Sequence, residues 1–411
     1  VCFFVNQKIT VMKIENYFRR KFLFAGILLL GVLCACQETL MEPAPDELSA
    51  EKSAVTASVA PMGTLPSGAL YEIVLPVPVW NALPQRVILV YAPGYEDADS
   101  PLELPDDVLE NIPIKDFVLS KGMGYAATSY RENGLVVVDG VEDVIMLRAT
   151  IQNYFDTNPQ YLAPHAVVLV GPSEGGLVTV LTIEQFPGYF DAAIATCCPI
   201  GDFYGQLQYY GDAHVLFKYF FGPSINGINL GSPKRISKHT MDAWDDESLP
   251  DAIEEVLRHD YMYNSGNKVR QFVDCANIPV DVAYPERTIR VIKEVIRYPI
   301  KATNDAVARM GGNPFNNKLP MREYSGSDND RKLNLTVERI KRKGWDTAAQ
   351  NVALLYETSG VLSTPLITVH KLNDHITFYK HQTDYISKVN ENSPWPQLLI
   401  HISVPGECAH C

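Results

Sequence analysis

The sequence is poor in positive charge. Its 411 residues carry 35 Lys and Arg against 48 Asp and Glu, a formal net charge of −13. A chain with that balance offers no broad basic face, which argues against a general nucleic-acid or anionic-membrane surface role. A small-molecule role stays open, because a cleft can differ from the average surface. Zinc-type spacing is missing too. No cysteine pair has a matching histidine cluster, and Cys408-x-x-Cys411 lacks a second half. The apolar run 22–32 near the N-terminus is too short for a membrane span. What is present is ordinary apolar content with 26 Gly and 28 Pro, which suits one large domain or one domain with a sizeable insertion.

The N-terminus has the build of a secretory leader. Met12 opens a basic region with Lys13, Arg19, Arg20 and Lys21, and the apolar run follows. Residues before Met12 read as translated upstream sequence. The run ends in Leu33-Cys34-Ala35-Cys36, which resembles a bacterial lipoprotein processing site. That resemblance implies cleavage before Cys36 and a lipid anchor on it. Residues 36–66 are rich in Glu, Ala, Ser and Pro without periodicity and read as a flexible tether. The expected division is leader at 1–35, tether at 36–66 and a folded domain at 67–411. The expected location is the bacterial cell envelope, outside the cytoplasm, with the membrane reached through Cys36. Export permits disulfides, but the other cysteines (197, 198, 275, 408 and 411) are odd in number and fix no framework.

The folded part alternates short apolar strands with amphipathic helices. Strand character falls on Leu70–Val79, Arg86–Tyr91, Gly124–Ser129, Ala166–Val170, Phe190–Cys198, Pro365–His370 and Gln397–Ser403. Val144, Leu147, Ile151 and Phe155 recur at helical spacing. This rhythm predicts an α/β fold with a doubly wound, mostly parallel sheet. It breaks between about 202 and 345, where aromatic residues and helical patterns predict a mainly helical cap. The aromatic cluster there reads either as a pocket lining or as the cap's own core.

The stretch His165–Gly176, HAVVLVGPSEGG, carries the chemistry. A strand runs into a G-x-S-x-G turn and then into a segment of helical length. Ser173 is the candidate nucleophile; the plainer reading is a βα turn whose serine caps the helix. The backbone N–H groups of Glu174 and of Gly94 or Tyr95, in the loop after RVILVY, are candidate oxyanion donors. A serine hydroxyl needs a base, and the base an orienting acid. His410, in a short loop after the last strand, is the favoured base, and His375 its rival. Asp374 follows the strand PLITVH and is the favoured acid, ahead of Asp384.

In that order, Ser173, Asp374 and His410, the chain resembles an α/β-hydrolase of the secreted esterase and peptidase type over roughly residues 70–411. GPSEGG is similar to the family's nucleophile elbow. TPLITVHKLNDHITFYKHQTDY is similar to its acid region, and ECAHC to its base motif. Ala92-Pro93-Gly94 stands where many relatives carry His-Gly, Lys371 replaces a turn glycine and Ala409 a glycine before the histidine. Some relatives tie a cysteine beside the nucleophile to one after the histidine; here Pro172 occupies the first position, leaving Cys408, Cys197 or Cys198 as partners for Cys411. The resemblance implies an extracytoplasmic serine hydrolase that cleaves carboxylic esters through an acyl-enzyme intermediate. It implies a small ester or acylated substrate and no metal or cofactor. The alternatives are a serine exopeptidase or amidase with the same triad, and a noncatalytic surface lipoprotein that binds through its cap. The sequence has no large repeat-built N-terminal domain, which argues against a prolyl-oligopeptidase-like enzyme.

Overall fold

A computed structural model describes residues 61–109, 111–225, 229–318, 322–340, 345–406 and 410. The leader and Cys36 lie outside the described residues. The apolar runs become strands: β1 (Met62–Thr64), β2 (Leu70–Val74), β3 (Val87–Tyr91), then a small ribbon of β4 (Val108–Leu109) and β5 (Ile112–Pro113). β6 (Gly124–Thr128), β7 (Ala166–Pro172), β8 (Ala192–Thr196), β9 (Leu366–Lys371) and β10 (Leu399–Val404) follow. All except the ribbon join one eight-stranded sheet of order β1-β2-β6-β3-β7-β8-β9-β10. β2 is antiparallel to both β1 and β6, and the pairs from β6 through β10 are parallel. This is the α/β-hydrolase architecture, a doubly wound, mostly parallel sheet. Ordered structure begins earlier than the composition suggests, since β1 falls within the expected tether.

Every residue of β3 and β6 is buried, as a sheet covered on both faces requires. The helix Val137–Thr157 turns Val144, Leu147, Ile151 and Phe155 into the core, and the helix Ser173–Gln185 packs beside it. The opposite face carries Val118 and Leu119 of the helix Ile114–Ser120, packed with Leu89 and Tyr91.

Between β8 and β9 the described residues are mainly helical, from Phe203–Phe221 to Trp345–Leu355. This region has an apolar cluster of its own, with Phe217, Phe221, Phe272, Ile292 and Val295 fully buried. Tyr209, Phe217, Phe220 and Phe221 belong to that cluster, so these aromatics form the helical region's own core. Among the described residues no helix is long and apolar enough to cross a membrane.

The winding direction sets the position of the site. From β3 the chain moves outward to β6, then crosses back to add β7 on β3's other side. The switch point therefore lies between β3 and β7, and the crevice beyond their carboxyl ends is where such sheets place ligands.

Candidate active site

Candidate residues gather at one sheet edge because each follows the carboxyl end of a strand. Gly94 follows β3, Ser173 β7, Cys197 β8, Asp374 β9 and His410 β10. Gly94 and Ser173 flank the switch point directly. A Cβ placed on Gly94 would stand 3.7 Å from the Cβ of Ser173.

The elbow is a strained turn with visible causes. Ser173 has φ of +50°, a region that residues with a Cβ avoid. Its neighbours must be small. A Cβ on Gly171 would collide with the Gly175 carbonyl, one on Gly175 with the Ala92 and Pro93 carbonyl oxygens, and one on Gly176 with Cys198. The N-cap of the following helix is Pro172, and no side chain caps it. Ser173 is therefore not the capping serine of an ordinary turn.

Asp374 and His410 are brought together. Asp374 is buried; its Oδ1 accepts the N–H groups of Ile376 and Thr377 at 2.9 Å each, and its Oδ2 lies 2.8 Å from His410 Nδ1. Burial pushes the Asp374 carboxyl up, but the charge of His410 and its hydrogen bond, with help from His370, outweigh burial and hold it below its ordinary value. An ionised carboxylate only accepts, so Nδ1 is the donor in that hydrogen bond and Nε2 is the nitrogen left facing away from the acid. That Nε2 is buried and has no hydrogen-bond partner among the described residues.

The other histidines are occupied or remote. The rival His375 is fully buried, with Nε2 2.5 Å from Glu294 of the helix Pro285–Lys301. Burial raises the Glu294 carboxyl, but that bond and the charges of His375 and Arg290 leave it lowered overall. His401 sits in β10 between Thr368 and Tyr379, each at 2.9 Å. His165 is at the far end of β7, against Arg86. Asp384 pairs with Lys380. His214, in the helical region, is buried, and burial lowers its pKa to about 4.

The expectation of a serine carboxylic-ester hydrolase is corrected by the cluster around the acid. That cluster is Cys197, His370 and Asp374, with ligand atoms all within 4.8 Å of one another. The residue beside the acid is thus a cysteine, not a serine. Nor does the Ser173 hydroxyl complete a relay, since His410 Nε2 is unpartnered. The exopeptidase or amidase alternative uses the same triad and falls with it. Cys197, at φ of +42°, is disulfide-bonded. In that oxidised form its sulfur is no thiolate, so the trio is neither a ready nucleophile nor a thiolate metal site. His370 Nε2 is 3.5 Å from Asp374 Oδ2 and bonds the Thr377 carbonyl at 2.7 Å, and burial lowers its pKa. Sequence reasoning gave neither Cys197 nor His370 a role at the site. The available signal was position: each lies at the carboxyl end of a core strand.

No protein-family model matches the sequence, and no curated protein matches it. Among solved structures, the chain is similar to oligopeptidase B from Leishmania major at 11% identity and a TM-score of 0.38, over 86% of this chain and 33% of that one. The chain thus spans about a third of that protein's length. An esterase from Aspergillus oryzae aligns at 12% identity and a TM-score of 0.41, over 84% of this chain and 71% of that one. The rice cell wall degrading esterase LipA from Xanthomonas oryzae aligns at 13% identity and a TM-score of 0.41, over 84% and 81%. The strand order, rather than these scores, defines the fold.

Proposed function

We propose that the chain is a hydrolytic enzyme for small acylated substrates, with His410 as general base and Asp374 as the group that orients it. The observation that carries this reading is the state of His410. A buried carboxylate holds Nδ1, while Nε2 is buried and, among the described residues, unpartnered, on the segment that follows β10. A histidine in that state takes a proton from an attacking group and returns it to a leaving group. The backbone N–H groups of Glu174 and of Gly94 or Tyr95 are the donors for a carbonyl oxygen as it gains charge. Ser173 belongs to the same site, and Ser173→Ala reads what its hydroxyl contributes.

The leader supports an exported, lipid-anchored location in the bacterial envelope, with the folded domain beginning at β1. The disulfide at Cys197 suits an oxidising compartment. Palmitate labelling of wild type, lost in Cys36→Ala, supports the anchor; equal labelling of both contradicts it.

The test of activity is a panel of aryl esters, thioesters and aminoacyl arylamides, assayed with wild type and His410→Gln. Turnover of at least one class by wild type, reduced roughly 10²- to 10⁴-fold in the variant, supports the reading. No turnover of any class, or equal turnover by both proteins, overturns it; the noncatalytic binding module is then the reading that remains.

A further inference from the structure

The loop 130–136 touches three parts of the molecule at once. Towards the β3 loop, Tyr130 donates its hydroxyl to the Pro93 carbonyl at 3.2 Å, and the Gly134 N–H donates to the Glu96 carbonyl at 2.9 Å. Towards the elbow, the Val136 N–H donates to Glu174 Oε1 at 2.8 Å. Towards the helical region, the Leu135 N–H donates to Asp305 Oδ2 at 2.7 Å, and Arg309 Nη2 donates to the Asn133 carbonyl at 3.0 Å. Asp305 and Arg309 pair with each other on the helix Thr303–Arg309. Gly134, at φ of +96°, allows the close approach, because a Cβ there would collide with the Asp305 carboxylate.

Adjacent peptide N–H groups are thus held from opposite sides, one by the elbow and one by the cap. Burying a carboxyl costs more than burying an apolar side chain of similar size. Glu174 is buried, and Asp305 and Arg309 act on its charge from the helical region. Its side chain accepts the Val136 N–H, which also donates to the Gly134 carbonyl at 2.9 Å inside the loop, so the carboxyl is what ties that N–H to the elbow.

We propose that Glu174 is a positioning residue: its side chain, acting through the loop 130–136, ties the elbow backbone to the cap helix Thr303–Arg309, so that the seating of the cap sets the geometry of the oxyanion donors. The inference rests on the hydrolytic reading for its effect on rate, and on contacts alone for its effect on structure. Glu174→Gln keeps a carbonyl acceptor, whereas Glu174→Leu removes it. Asp305→Ala cuts the same link from the cap side, 170 residues away in sequence.

The experiment combines amide hydrogen exchange with kinetics on the best substrate of the panel. Val136 should lose protection in Glu174→Leu and regain it in Glu174→Gln, and Leu135 should lose protection in Asp305→Ala. Glu174→Leu and Asp305→Ala should each lower kcat roughly 10- to 100-fold with KM within about twofold, and Glu174→Gln should restore most of kcat. Unchanged protection at Val136 in Glu174→Leu overturns the proposal, whether or not a substrate has been found. Lost protection with kcat unchanged also overturns it, leaving a stability contact only. If wild type turns nothing over, the exchange result still decides the contact, and the missing turnover counts against the hydrolytic reading.

Discussion

Asp374 Oδ2 and His410 Nδ1 meet at 2.8 Å across 36 residues of chain, on segments that follow the neighbouring parallel strands β9 and β10. The strand register brings the acid and base to one edge. The two N–H groups on Asp374 Oδ1 then fix which oxygen faces the imidazole.

That contact predicts a loss of rate. Asp374→Asn can no longer hold Nδ1–H as an ionised acceptor, and turnover should fall roughly 10²- to 10⁴-fold with the fold intact by circular dichroism. It also predicts an acid limit. The Asp374 carboxyl lies below its ordinary value in the folded chain, so its contribution to stability is full above the ordinary carboxylate range. That contribution is lost as pH falls through the lowered value. Thermal melts should show wild type losing this increment in acid and Asp374→Asn lacking it throughout.

Glu174 predicts the opposite slope. Burial, partly offset by the Val136 N–H, raises its carboxyl from 4.5 to about 8. The folded chain then holds a proton that the unfolded chain releases, so stability should fall as pH rises from about 4.5 to about 8. Glu174→Gln should flatten that window in melts taken at half-unit pH steps.

Gly175 predicts intolerance at the elbow. A Cβ there meets the Ala92 and Pro93 carbonyl oxygens, which are backbone and cannot rotate away. Gly175→Ala should cost about 1–3 kcal/mol or more in urea unfolding and should disturb the loop that carries Gly94.

Cys197 predicts sensitivity to reduction. Opening its disulfide should lower stability by about 2–5 kcal/mol. Dithiothreitol should therefore lower the Tm of wild type and leave that of Cys197→Ser unchanged, and non-reducing peptide mapping should identify the partner cysteine.

The local parts of this fold were legible in the sequence. RVILVY is a buried strand because the residues of β3 are apolar without alternation, and GPSEGG is an elbow because its glycines clear backbone oxygens. The same rule, residues just past strand ends, singles out Asp374 and His410, whose side chains meet in the structure. The rest depends on contacts that periodicity cannot register. β1 is three residues long, too short to show a pattern. Cys197 joins His370 and Asp374 only because β8 and β9 are neighbours in the sheet. The clasp at Leu135 needs Asp305, and the burial of His375 needs Glu294, both supplied by the inserted helices. The serine reading failed for that reason: the elbow is visible locally, whereas the company kept by the acid is not.

The central claim is that His410 moves the proton, and chemical rescue tests it most directly. His410→Gly should be folded and nearly inactive on the best acyl substrate, and added imidazole should restore turnover in a saturable, pH-dependent way. Full activity in His410→Gly without imidazole would contradict the account.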